Sequence, residues 1–104
     1  MVGTPGRILD LYSRGDISGA NVTALVLDEA DELLQQDTFR IQVQNIRDGL
    51  AHHRLQTICL SATYPNSLKD YVLRFVRPDP IVIKVSSKKK FENFFLFFSI
   101  FLKV

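Results

Sequence analysis

Val22-Thr23-Ala24-Leu25-Val26-Leu27-Asp28-Glu29-Ala30-Asp31 is a short apolar run that stops abruptly at charge. A nearly all-apolar run of this length suits a strand buried on both faces of a parallel sheet, where neither face meets water. In open α/β sheets, ligands sit beyond the carboxyl ends of the strands. That end here carries adjacent carboxylates, Asp28 and Glu29. A carboxylate in this place can hold the Mg²⁺ that bridges nucleotide phosphates, usually through a water. A second one beside it can orient and deprotonate an attacking water. A plainer alternative is an acidic cluster that opens a helix and favours its dipole.

Working outward, the rest of the chain alternates in the same way. Thr4-Pro5-Gly6-Arg7 reads as a helix start, with Thr4 as N-cap and Pro5 at the first helical position, where its missing N–H costs nothing. Ile8, Leu9, Leu11 and Tyr12 give that helix its apolar face, and Gly15 is a natural stop. A helical turn follows the acidic cluster through Leu33 and Leu34. Thr38 is then expected to cap a longer helix, in which Phe39, Val43, Ile46 and Leu50 form a 3.6-residue stripe. Gln56 to Leu60 reads as another buried strand. Asn66 is expected to cap a helix with Leu68, Val72, Phe75 and Val76 inward, stopped by Arg77-Pro78. Ile81 to Val85 is a third strand, and Val2 reads as the end of an earlier one. Strands alternating with helices indicate βαβ units and a parallel, right-handed α/β sheet.

Two further polar clusters fall where such a sheet binds ligands. Ser61 and Thr63 end the strand that starts at Gln56, with hydroxyls able to reach a neighbouring strand end. They could equally satisfy local backbone groups before Pro65. Thr4 to Arg7 bring together backbone N–H groups, a helix N-terminus and a guanidinium, a good cradle for phosphate. A simple capped helix fits those four residues too.

Bulk properties narrow the field without deciding it. At 104 residues, 46% hydrophobic and 23% charged, the chain has ordinary globular composition. Its net charge of +2 is no argument for nucleic acid, because residues 1–80 hold 8 Lys and Arg against 10 Asp and Glu. The basic excess belongs to the end of the chain, mainly Lys88, Lys89 and Lys90. One cysteine, Cys59, excludes a disulfide framework or a Cys-rich zinc site, and its apolar neighbours suggest an inert buried thiol. His52 and His53 read as an exposed pair at a helix end. The first residues have no apolar signal core, which fits an intracellular location, nucleus or cytoplasm.

After Val85 the texture changes. Residues 91–101 hold six of the eight Phe, with neither strand alternation nor a clear helical stripe, and fall short of the ~20 apolar residues that span a bilayer. We expect residues 88–104 to be an atypical Lys/Phe-rich tail, non-native or unstructured alone. The alternatives are a final strand or helix buried only in a complete protein, or a membrane-surface anchor.

Taken together, Thr-Pro-Gly-Arg, then Asp-Glu-Ala-Asp, then Ser-Ala-Thr, in this order and at this spacing, resemble the DEAD-box ATP-dependent RNA helicases. The stretch Arg77-Pro78-Asp79-Pro80-Ile81-Val82-Ile83-Lys84-Val85 resembles the segment that closes the family's first RecA-like domain. Residues 2–85 carry the likeness. It implies a partial RecA-like, P-loop NTPase type domain over residues 1–87, from an enzyme that couples ATP hydrolysis to RNA duplex unwinding or ribonucleoprotein remodelling. It implies that Asp28 binds Mg²⁺–ATP through a water and that Glu29 positions the water attacking the γ-phosphate. Asp31 would bond Ser61 and Thr63, in the coupling motif Ser61-Ala62-Thr63. Thr4, Pro5, Gly6 and Arg7 would contact the backbone of one RNA strand.

The cofactors implied are thus ATP and Mg²⁺, and the partners RNA, with ribonucleoprotein proteins a further class and no membrane. The likeness also implies that the strand ending in Ser61 lies between a P-loop strand and the strand ending in Asp28. No Gly-rich P-loop with its Lys occurs within the 104 residues. The chain taken alone is therefore expected to be inactive, with the edge of the Ser61 strand open to water. Two other outcomes stay open: a truncated product that folds poorly, and a non-enzymatic RecA-like module that binds a protein partner.

Overall fold

Pro5 fixes its own φ near the helical value, and a helix starts there, α1, running Pro5–Ser13. The structure, a computed structural model, describes residues 1–50, 55–63, 65–75, 80–86 and 93–99. Thr4 takes the extended N-cap conformation, although its hydroxyl makes no capping hydrogen bond. The helix ends as Gly15 suggests. Gly15 sits at φ +76°, with its N–H donating to Tyr12 O and that of Asp16 to Leu11 O, the paired bonds of a Schellman stop.

The following elements are β1 (Ala24–Leu27), α2 (Ala30–Gln35), α3 (Asp37–Leu50), β2 (Gln56–Ser61), α4 (Asn66–Phe75), β3 (Ile81–Ser86) and β4 (Asn93–Ser99). Two caps shift from the sequence expectation. Arg40 N–H already donates to Gln36 O, so Thr38 lies inside the first turn of α3 and does not cap it. Lys69 N–H donates to Pro65 O, which puts Asn66 inside α4. The expectations for Arg77-Pro78, Val76, the Leu68 side chain and the two histidines fall outside what is described.

The sheet order is β1-β2-β4-β3. β1 and β2 pair in parallel, Ala24 opposite Gln56 through Leu27 opposite Cys59. β4 runs antiparallel to both β2 and β3, so β1, β2 and β3 share one direction and the sheet is mixed. Two expectations are corrected here. Asn93–Ser99, within the tail expected to be non-native or unstructured alone, form a strand, and the edge of β2 expected to face water is paired with it.

The core lies on one side of the sheet. Leu27 and Cys59 on neighbouring strands pack with Ala30 and Leu34 of α2, Val43 of α3, and Val72 and Phe75 of α4. A second cluster, Ile46, Leu50 and Leu55, gathers Ile8, Leu9 and Tyr12 of α1 with Val22 and Leu25. The α3 stripe is as its spacing predicts: Val43, Ile46 and Leu50 are buried and Phe39 is partly so. Each large apolar side chain fully buried this way contributes about 1.5–3 kcal/mol. β1 is not covered on both faces, however. Leu25 and Leu27 point to the helices, while Val26 between them is 52% exposed. The helices of the two core clusters pack on the face that Leu25 and Leu27 share, and an alternating strand must turn every second residue away from them.

Candidate functional site at the strand ends

The turn after β1 is built around one unusual residue. Glu29 takes left-handed backbone angles, φ 50° and ψ 47°, the single positive φ at a non-glycine residue among those described. For an L-residue with a branched-off side chain that conformation costs about 1 kcal/mol or more. Its N–H donates to Asp28 Oδ1 at 2.9 Å, which closes the turn, and Leu33 N–H donates to Glu29 O to start α2. Both carboxylates end exposed beyond the carboxyl end of β1. Glu29 is the N-cap residue of α2, and its carboxylate makes no capping bond. Asp31 and Glu32 fill the acidic first turn.

Asp31 is the buried member, 8% exposed, and it joins the two strand ends. Thr63 Oγ1 donates to Asp31 Oδ2 at 2.5 Å across 32 residues of sequence. Ser61, 3% exposed, donates its hydroxyl to the Thr63 carbonyl at 2.6 Å and so fixes the turn that presents Thr63. Burial pushes the Asp31 carboxyl up, but the hydroxyls of Thr63 and Ser61 and nearby backbone N–H groups outweigh it and hold the value below the ordinary one. One Ser61 proton cannot serve two acceptors at once. It rests on the Thr63 carbonyl, and its influence on Asp31 needs only a rotation of the hydroxyl. With the folded value depressed, this contribution to stability is complete above the ordinary carboxyl value of about 3.9 and is lost as pH falls through the lowered one. Ala62, between the two hydroxyl residues, is exposed.

Thr4 is the N-cap of α1, and Pro5 to Arg7 form its first turn. Arg7 pairs with Asp10 at 2.9 Å, both largely exposed, and Asp10 is shared with Arg14. Exposed pairs of this kind are worth about 0–1 kcal/mol, so the Arg7 guanidinium can change partners at little cost. Gly6 packs against the side chain of Gln42 on α3, whose buried Oε1 has no hydrogen-bond partner.

The attachment of α1 to α3 was not foreseen from the sequence. Tyr12 OH donates to Gly49 O at 2.9 Å, and the Tyr12 ring lies between Gly19 and Gly49. A Cβ on Gly49 would stand 2.8 Å from Tyr12 Cε1, so no larger residue fits without moving the ring. A glycine inside a helix costs about 1 kcal/mol against alanine, and that misfit was the available signal.

Among the described residues no group of three His, Cys, Asp or Glu could hold a metal by itself, and no helix is long and apolar enough to cross a membrane. Mg²⁺ does not need such a group, since it keeps several waters and takes only one or two carboxylates beside substrate phosphates. Exposed Asp28, its second oxygen left by the Glu29 N–H, fits that demand. Cys59 is fully buried and desolvation raises its thiol to about 12, so it does not react with solutes and only a group placed directly against it could reach it.

Comparison with known proteins identifies a family. The family described as DEAD/DEAH box helicase matches residues 1–71. The chain is 37% identical over 99 residues to DEAD-box ATP-dependent RNA helicase 8 of Arabidopsis thaliana, covering 95% of the chain and 19% of that protein. It is 38% identical over 91 residues to the ATP-dependent RNA helicase dbp3 of Schizosaccharomyces pombe, covering 84% and 15%. It is also 41% identical over 87 residues to the ATP-dependent RNA helicase DeaD of Buchnera aphidicola, covering 84% and 14%. The chain thus spans less than a fifth of these relatives. No solved structure matches it.

Proposed function

This chain belongs to the DEAD/DEAH box helicase family, and from that premise we propose that it forms part of the ATP- and RNA-handling machinery of an ATP-dependent RNA helicase. The observation that carries the reading is the bond from Thr63 to Asp31, which ties the end of β2 to the turn holding Asp28 and Glu29. Asp28 holds Mg²⁺ through a water. The ion held there would supply charge neutralisation at the nucleotide phosphates. Glu29 orients the attacking water and takes its proton. A shift in this turn reaches Ser61 and Thr63 through Asp31, so nucleotide state and RNA handling are linked. Thr4, Pro5, Gly6 and Arg7 hold one RNA strand by its backbone, and the complete protein unwinds duplexes or remodels ribonucleoproteins. An intracellular place of action, nucleus or cytoplasm, and ribonucleoprotein partners go with this reading.

The test is a double substitution in the complete helicase. Replacing Ser61 and Thr63 with Ala removes the link and leaves the two carboxylates of the β1 turn in place. Duplex unwinding is expected to fall about tenfold more than ATP hydrolysis, the loss of a hydrogen bond to a charged group. Equal losses in the two assays would reduce Ser61 and Thr63 to a structural role. Arg7→Ala addresses the RNA side. Binding should weaken about uniformly across RNA sequences, and the slope of affinity against salt should fall by about one phosphate contact. A loss confined to particular sequences would make Arg7 a base reader instead.

A further inference from the structure

β2 and β3 run in the same direction and are consecutive strands joined by α4, yet they are not neighbours. One strand width lies between them. Left empty, it would expose two facing rows of backbone N–H and C=O groups in the middle of a sheet, where unpaired groups are costly. We propose that this gap is a strand-binding site and that Asn93–Ser99 fills it in cis as a self-complementing strand, closing it to any other strand.

The ladders support the assignment on both sides. Thr57 to Ser61 pair with Ser99 to Phe95, and Ile81 to Ser86 pair with Phe98 to Asn93. Every residue of β4 is therefore paired at least once, and Phe95 to Phe98 are paired twice. The polarity has a simple cause. Ser86 and Asn93 are register partners at the end of the β3–β4 ladder, with six residues of sequence between them. Antiparallel neighbours can be joined by so short a link, whereas parallel ones need a crossover of a dozen residues or more. A segment continuing from β3 thus enters the gap reversed, against the common direction of β1, β2 and β3. The composition Phe94-Phe95-Leu96-Phe97-Phe98 is that of a strong β-former. A parallel strand supplied from elsewhere could enter only after β4 leaves. The two are mutually exclusive.

The lone native cysteine allows a direct test on the full 104-residue chain. Cys59 and Phe97 are Cα partners in the β2–β4 register. Directly opposed residues of antiparallel strands stand within the Cα separation that a disulfide spans. Treated with a strong thiol oxidant, Phe97→Cys should form an intramolecular Cys59 bridge, read by mass spectrometry of the monomer. Leu96→Cys and Phe98→Cys, whose partners are Leu60 and Ile58, should bridge at least about tenfold less. Absence of the bridge, equal yields in all three variants, or a bridge only between two chains would overturn the assignment. The last result would mean that a second copy donates the strand. Hydrogen exchange on the unsubstituted chain decides the matter should the variants fail to fold. The amides of Asn93–Ser99 should be protected as well as those of Thr57–Ser61, and fast exchange across Asn93–Ser99 would remove β4 from the gap.

Discussion

Glu29→Gln in the complete helicase is expected to keep ATP binding and to slow hydrolysis by about 10²-fold or more, the size of a lost general base. The substitution is close to isosteric and removes only the charge and the basic oxygen. Glu29 is exposed, makes no capping bond to α2, and supplies the turn through its backbone alone. Gln in the same backbone conformation leaves the N–H to Asp28 Oδ1 and the Leu33 bond intact, so the fold and the Asp28 site should survive. Binding of a non-hydrolysable nucleotide measures the part that should not change, and single-turnover hydrolysis measures the part that should. A variant turning over at the wild-type rate would remove Glu29 from the chemistry.

The 104-residue chain itself, supplied with ATP, RNA and Mg²⁺, is expected to release no phosphate above background. Phosphoryl transfer is catalysed mainly by gripping the phosphates and neutralising the charge that develops on them. Asp28 and Glu29 offer a metal position and a base, but these residues include no Gly-rich loop with its Lys. An arginine finger alone is worth about 10³–10⁵ in rate, and the loss here is at least of that order. Phosphate release by the purified chain, with Glu29→Gln as its control, settles the point. RNA-stimulated turnover that Glu29→Gln abolishes would show that the chain holds a working site. Aggregation is a separate hazard, and its location changes with the structure. β2 is paired on both edges, whereas Ile81, Val82 and Ile83 of the edge strand β3 are each 42–51% exposed.

The parts legible in the sequence share a feature: their signal is local. Thr4-Pro5 starts α1, Gly15 ends it, and the 3.6-residue spacing of Val43, Ile46 and Leu50 finds the core because each pattern answers to its own helix. Asp31 and Thr63 could be paired only through the family likeness, since nothing local links residues 32 apart. The exposure of Val26 was hidden for a related reason. An apolar run reads the same whether one or both faces of its strand are covered, and coverage is decided by where distant helices pack. The left-handed turn at Glu29 could not be read at all, because its residue type gives no hint of positive φ. The Tyr12 to Gly49 bond depends on two helices meeting, and β4 depends on a gap between strands that only the assembled sheet creates.

That last strand has a consequence for the order of folding. β4 is the latest described strand in the chain, and it occupies an interior place in the sheet. During synthesis β1, β2 and β3 all leave the ribosome first, and β3 must wait without a lateral partner until Asn93–Ser99 arrives. The β1–β2 pair with α2 and α3 can consolidate early, but the sheet as a whole can close only in a final step that joins both halves at once. Non-local pairings of this kind fold slowly and leave strand edges open meanwhile.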